Sequence, residues 1–368
     1  MGSFSIIDGL ATVATPEAYA RLDEGWTSTG GELGAEVRGL ASALVGYGLA
    51  PGGRVAVLGS EGCETLTAQL AVIVAGGCLV LPEPGLSDAA LADALGASEI
   101  AQAVAADEDQ LARLLALRPD LPTLELVVLM KARPSERKPA ALLASTAIAA
   151  GEERLRHQPD LLRSVRGSSN PAEAAVLFWR SAGASQAMPR SLLEGLAERL
   201  ATVIQPARER AVLMALEGGT AARLALGLAV ASKDGTLLLA DPKDRPDSGL
   251  DERPAHAVVL SFQAVGQLEK AWREDIDRRS LVSRLVARWS LRQPRRSERG
   301  RWKRRLAELL VLRELRSTLG PDVRHLDVVR QKLSRLDPMS EAFFESIGLP
   351  VRYFEGSVHL GPGPAIAP

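Results

Sequence analysis

The stretch Pro51-Gly52-Gly53-Arg54-Val55-Ala56-Val57-Leu58 decides the fold class. Proline followed by two glycines reads as a tight turn, and the β-branched-rich run after it reads as a short strand. Upstream, from Gly34, the apolar positions Val37, Leu40, Ala41, Leu44 and Val45 recur at helical spacing until Gly48, which predicts an amphipathic helix with a glycine stop. Downstream, a helical stretch runs through Leu70 and a further strand is predicted from Cys78 to Leu81. The alternation continues through Leu124 to Met130. Strands this uniformly apolar, separated by helices, imply a mostly parallel sheet covered on both faces, hence an α/β protein.

A polar connection, residues 131 to 172, contains proline and arginine and includes a short helical stretch. A second alternating series begins at Ala174 to Trp179. Within it, strands are predicted at Val212 to Leu216, Leu237 to Leu239 and Val258 to Leu260, and helices at Leu192 to Val203 and Ala221 to Val230. Residues 263 to 319 read as mainly helical. A last strand and helix are predicted around Val323 to Val329 and Met339 to Ile347. The organisation expected is a first α/β subdomain over residues 1–165 and a second over 166–368. The second carries an Arg-rich helical insertion at about 270–319 and a Gly/Pro tail, Gly361-Pro362-Gly363-Pro364, expected to fray.

Composition narrows the function classes. With 44 basic against 45 acidic side chains the net charge is -1, so the whole-chain balance points to neither nucleic acid nor an anionic membrane, and any such partner needs a local patch. Cys63 and Cys78 lie in apolar stretches without a paired spacing, which fits buried thiols in a reducing compartment rather than a disulfide or zinc site. The longest apolar run, Leu70 to Pro82, falls short of the ~20 residues that cross a bilayer. No basic start followed by an apolar run opens the chain, so a cytoplasmic location is expected.

The order of landmarks resembles the adenylate-forming (AMP-binding) superfamily, and within it the long-chain fatty acyl-CoA synthetases. Trp26-Thr27, Glu32-Leu33 and Leu40-Ala41, then Gly48-Leu49 and Pro51 to Val57, are similar to that family's opening helix, turn and first strand. Leu315-Arg316-Ser317-Thr318-Leu319-Gly320 looks like the long-chain branch, and Phe343-Phe344-Glu345-Ser346-Ile347-Gly348-Leu349-Pro350-Val351 resembles the segment before its central Tyr-Gly-x-Thr-Glu motif. The resemblance implies the large domain of these enzymes: two stacked subdomains with mostly parallel sheets flanked by helices.

It also implies where adenylation chemistry should lie. The family holds ATP phosphates on a flexible loop, Thr-Ser-Gly-Thr-Thr-Gly-x-Pro-Lys-Gly, because a departing pyrophosphate needs backbone amides and a cation. The matching stretch runs from Trp179 to Ser191, with Ser181, Gly183, Ser185, Pro189 and Arg190 as its remnants and Arg190 in the place of the lysine. Only one glycine survives, and the bulky Trp179, Gln186 and Met188 make a phosphate cradle unfavourable. Arg190 then reads either as an anion anchor or as a surface arginine at a helix start. The second motif falls on Glu355-Gly356-Ser357-Val358-His359, where Glu355, Gly356 and His359 replace a set that in the family touches phosphate and magnesium. The adenine-lining Ser-Gly-Gly-Ala falls on Gln331-Lys332-Leu333-Ser334. No counterpart of the family's ribose-binding Asp or of its small C-terminal domain is read before residue 368.

These losses predict no cofactor, no metal and no adenylation, and so a synthetase-like pseudoenzyme serving as a protein-binding, scaffold or regulatory subunit. An acyl-chain binding protein, or a ligase half completed in trans, are the alternatives. The expected partner is another protein, an active synthetase or an assembly subunit. The strongest local outlier is basic: Arg284, Arg288, Arg292, Arg295, Arg296, Arg299, Arg301, Lys303, Arg304 and Arg305 surround a single Glu298, with Trp289 and Trp302 interleaved. This segment reads either as a solvated face or as a patch for an anionic partner, a membrane surface before nucleic acid.

Overall fold

The computed structural model describes residues 20–22, 25–59, 62–132, 141–180, 185–207, 210–233, 235–247, 250, 254–278, 313–330 and 334–355, of which 20–32 are described for the backbone alone. The first series comprises β1 (Ala20–Leu22), β2 (Gly25–Thr29), α1 (Gly30–Gly46), β3 (Arg54–Leu58), α2 (Cys63–Val74), β4 (Cys78–Pro82), α3 (Asp88–Ala97), β5 (Gln102–Ala105), α4 (Glu108–Leu117) and β6 (Leu126–Leu129). It continues with β7 (Leu142–Leu143), α5 (Ala144–His157), α6 (Leu161–Gly167), β8 (Ala174–Trp179) and β9 (Ser185–Pro189). The second comprises α7 (Arg190–Ile204), β10 (Ala211–Ala215), α8 (Ala221–Ala231), β11 (Thr236–Leu239), β12 (Ala257–Leu260), α9 (Phe262–Arg278), α10 (Arg313–Ser317), β13 (Leu326–Arg330), α11 (Pro338–Ile347) and β14 (Val351–Glu355).

Two seven-stranded sheets result. The first has the order β7-β6-β5-β3-β4-β8-β9 and the second β1-β2-β11-β10-β12-β13-β14. Pairing is parallel through both centres, and antiparallel at β8–β9, β1–β2 and β2–β11. Alternating side chains of each strand point to opposite faces. In β3, Val55 and Val57 enter a central core, whereas Ala56 and Leu58 join an outer one with Leu91, Leu95 and Leu114 of α3 and α4. In β10, Val212 and Met214 face the same central core, while Leu213 and Ala215 face Leu268 and Trp272 of α9 and Phe344 of α11. The layers therefore run helix, sheet, helix, sheet, helix, with α1, α2, α5, α7 and α8 between the sheets. Glycines permit that middle layer: a Cβ on Gly151 of α5 would stand 1.8 Å from the Gly39 carbonyl oxygen of α1.

The expected boundary at 165/166 does not follow the sheets. Strands β8 and β9, which lie beyond residue 166, complete the first sheet beside β4, and β1 and β2, at the start of the chain, extend the second sheet through β11. Hydrogen bonding to the nearest free strand edge, not sequence order, sets membership. The last predicted strand is displaced to Leu326–Arg330, and β14 follows the final helix as an edge strand. Of the helical stretch expected at 263–319, α9 and α10 are seen and the intervening residues lie outside those described.

Candidate functional site

The degenerate phosphate loop is shorter than its sequence implies. Strand β9 begins at Ser185, paired with Trp179, so only residues 180–184 connect it to β8. Ser181 and Gly183 lie in that connection, outside the described residues. Ser185 and Pro189 are strand residues, and because β9 runs antiparallel to β8, Pro189 pairs with Ala174 at the opposite end of the hairpin. Five residues of extended chain separate Ser185 from Arg190, about 17 Å at the ~3.4 Å rise of an antiparallel strand. Arg190 is thus no part of the loop.

Neither reading of Arg190 survives. It does begin a helix, α7, but it is buried, with 4% of its surface exposed. Its guanidinium donates to the carbonyl oxygens of Ile73, in the last turn of α2, and Gly77, in the turn that follows, both at 2.9 Å. Burial draws its pKa down, and Glu194 opposes this. The arginine is a bolt between the middle helices and β4, not an anion anchor. Trp179 is likewise turned away from any cleft: its indole packs in the outer core and donates to Ser98 Oγ at 2.8 Å.

The second motif is partly visible. Glu355 closes β14, exposed, and pairs with Arg330 at 2.9 Å; Gly356 and His359 lie outside the described residues. Also outside them are the basic positions Arg292, Arg295, Arg296, Arg299, Arg301, Lys303, Arg304 and Arg305. Among the described residues no cluster of three or more His, Cys, Asp or Glu could hold a metal, and no helix is long and apolar enough to cross a membrane. Glu355 stands at the Tyr position of the motif, and His359, at the position of the magnesium-holding Glu, lies outside the described residues.

What the fold does assemble is a cavity of about 330 Å³ at the carboxyl ends of β3 and β4 in one sheet and β10 and β11 in the other. Crevices outside the carboxyl ends of parallel strands are where open α/β sheets take ligands, and the volume lies at the lower end for small-molecule pockets. Two of its walls are polar and buried. Thr65 and Gln69, one turn apart on α2, are 5% and 3% exposed, and Thr65 Oγ1 and Gln69 Oε1 have no hydrogen-bond partner. Leaving such a group unpaired costs about 1–3 kcal/mol. From α8, Arg223 is 2% exposed and donates to the Leu216 carbonyl at 3.1 Å. Thr220 caps that helix, its hydroxyl accepting from the Arg223 amide, and Gly219 turns the chain with φ +68°.

The sequence reading passed over these three residues. A signal was present: polar side chains inside the uniformly apolar helical runs at 63–74 and 221–231.

The comparisons with known proteins agree with this architecture. Residues 11–176 match the family model of the AMP-binding enzymes. Similar solved structures include the adenylation domain of a carboxylate reductase from Mycobacterium chelonae, 17% identical, with a TM-score of 0.61 over 96% of this chain and 57% of that one. VinN, solved in complex with L-aspartate, is 18% identical, with a TM-score of 0.60 over 95% of this chain and 75% of that one. A Rhodopseudomonas palustris protein assigned as a long-chain-fatty-acid CoA ligase is 17% identical, with a TM-score of 0.54 over 73% and 65%. The chain thus spans only about half to three quarters of the length of the structures it resembles. The match and the fold support membership of the adenylate-forming superfamily.

Proposed function

From a chain with the large-domain fold of the adenylate-forming enzymes, we propose a protein that has given up adenylation and keeps the scaffold for binding. One observation carries this reading. The cation in the place of the family's lysine, Arg190, is spent on the carbonyls of Ile73 and Gly77 at the far end of the hairpin, and the loop is reduced to residues 180–184, whose Arg180 lies 4.0 Å from the Glu83 carboxylate. A departing pyrophosphate needs several backbone amides and a positive charge aimed at it. The fold alone does not imply the activity, since function resides in the site.

As a scaffold or regulatory subunit the chain would engage another protein, and its Arg-rich segment would supply an electrostatic surface for an acidic face. ATP–pyrophosphate exchange with a panel of fatty acids is expected to stay at the level of the blank. Exchange that scales with protein concentration would overturn the reading. Replacing Arg295, Arg296, Arg299 and Arg301 by Ser should abolish capture of the co-purifying partner, and capture by the unaltered protein should weaken steeply with salt, as exposed charges are screened within ~8 Å at physiological ionic strength.

A further inference from the structure

Neutral as a whole, the chain divides by charge: residues 1–130 hold 17 acidic and 5 basic side chains, and residues 131–368 hold 28 and 39. The acidic excess has a place in the fold. Residues 83–125, which include α3 and α4 in the outer layer of the first sheet, carry nine carboxylates against Arg113 and Arg118, and Arg113 is already paired with Asp88 at 2.7 Å. Asp93, Glu99, Asp120 and Glu125 are exposed, and no cation among the described residues lies in ion-pair range of them. Between α3 and Asp120, the small side chains of Ala89, Ala92, Gly96 and Ala97 leave a shallow depression of about 440 Å³ rimmed by Asp93 and Asp120. A floor of apolar groups and a rim of carboxylates fit the long stem and charged head of an arginine.

The matching cations are on the same chain. Residues 284–305 hold ten basic side chains against Glu298 alone. The helices that flank them, α9 and α10, pack in the outer layer of the second sheet, on the far side of the molecule from α3. With layers spaced by ~10 Å, about 40 Å separates the two outer layers, so residues 279–312 would have to run out and back nearly extended to reach the acidic face of their own chain. A second copy presents that face without such a stretch.

We propose that the protein associates head to tail with itself, the Arg-rich segment of one copy docking on the acidic outer face of α3 and α4 in the next, with arginines seated between Asp93 and Asp120. The two surfaces lie on opposite sides of each copy, so the contact is heterologous and closes into a ring or grows as an open chain. The proposal takes from the proposed function its reading of the Arg-rich segment as a surface for an acidic face, and names that face.

Sedimentation velocity of the full chain tests it. In about 0.1 M salt the mean sedimentation coefficient should rise with protein concentration, and in about 1 M salt, where the screening length falls from ~10 Å to ~3 Å, association should weaken at least tenfold. Asp93→Arg with Asp120→Arg should leave the protein monomeric, as should Arg295→Glu with Arg296→Glu and Arg299→Glu. Melting temperatures should hold, because exposed charges contribute little to folding. Mixed in equal amounts, the two variants should associate again, since each supplies the surface that the other has lost. Asp93→Asn with Asp120→Asn keeps the shape and should weaken association about tenfold. The proposal is overturned if the unaltered protein is monomeric at low salt, if neither reversal weakens association, or if the mixed variants stay apart. A monomer that binds vesicles of anionic phospholipid would assign the segment to a membrane surface instead. One that captures a different protein through residues 284–305 overturns this proposal and leaves the proposed function standing.

Discussion

The indole of Trp272 donates to Asp247 Oδ2 at 2.8 Å, joining the loop after β11 to the inner face of α9. Arg245 grips the same carboxylate at 2.7 and 3.1 Å, and the Thr318 hydroxyl donates to it at 2.9 Å, so one buried charge ties together three segments of the outer layer. Burial pushes the Asp247 carboxyl up, but the hydrogen bonds from Arg245, Trp272 and Thr318 outweigh it and hold it below the ordinary carboxylate range.

A folded-state pKa below the unfolded value means that Asp247 stabilises the fold above about pH 4 and loses that effect as pH falls through its depressed pKa. Asp247→Asn should therefore lower stability by about 1.5–3 kcal/mol near neutral pH, the scale of a hydrogen bond to a charged group, since Arg245 keeps Asp275 as a partner. Urea unfolding followed from pH 7 to pH 3 should show the gap between the two proteins narrowing below about pH 4. A constant gap would mean that the carboxylate charge is irrelevant.

Arg190→Ala removes a charged donor from the Gly77 carbonyl and from the Ile73 carbonyl, which keeps the Gly76 amide at 3.1 Å. Destabilisation on the order of 2–4 kcal/mol is expected from the lost charged hydrogen bonds and lost packing. Thermal unfolding measures the loss, and ATP affinity should be the same in both proteins. A variant as stable as the parent but altered in nucleotide binding would return Arg190 to the phosphate loop.

Where α1 and α5 cross, alanine gains helix propensity over glycine by about 1 kcal/mol, yet a Cβ on Gly151 would meet the Gly39 carbonyl at 1.8 Å. Backbone cannot yield as a side chain does. Gly151→Ala should thus destabilise the protein by about 1–3 kcal/mol or more, the cost of overpacking, and a rise in melting temperature would show that the two helices can part.

Cys63 and Cys78 are free and buried, and burial pushes their thiols up to about 12 and about 11. Thiolate, the reactive form, is then nearly absent at pH 8. Both should resist iodoacetamide in the native protein and react once it is unfolded in urea. Fast labelling of either under native conditions would contradict their placement.

The α/β class was legible in the sequence, because the apolar run Val55 to Leu58, the Pro51-Gly52-Gly53 turn and the helical period before it are local signals of backbone conformation and burial. Helices α7 and α8 and strands β10 to β12 lie within a residue or two of where periodicity places them, for the same reason. Tertiary structure alone decided the partners. Strand β5, Gln102–Ala105, has little β-branched character and is held in the sheet by β3 and β6 on either side. Arg190 looked like a loop cation until β9 paired with β8 and carried it to the other end of the hairpin. Thr65, Gln69 and Arg223 lie on helices more than 150 residues apart in sequence and meet only because two sheets share one layer of helices. Period and turn chemistry act over a few residues, whereas which edge a strand joins, and which polar group is left facing a cavity, is settled by packing between distant segments.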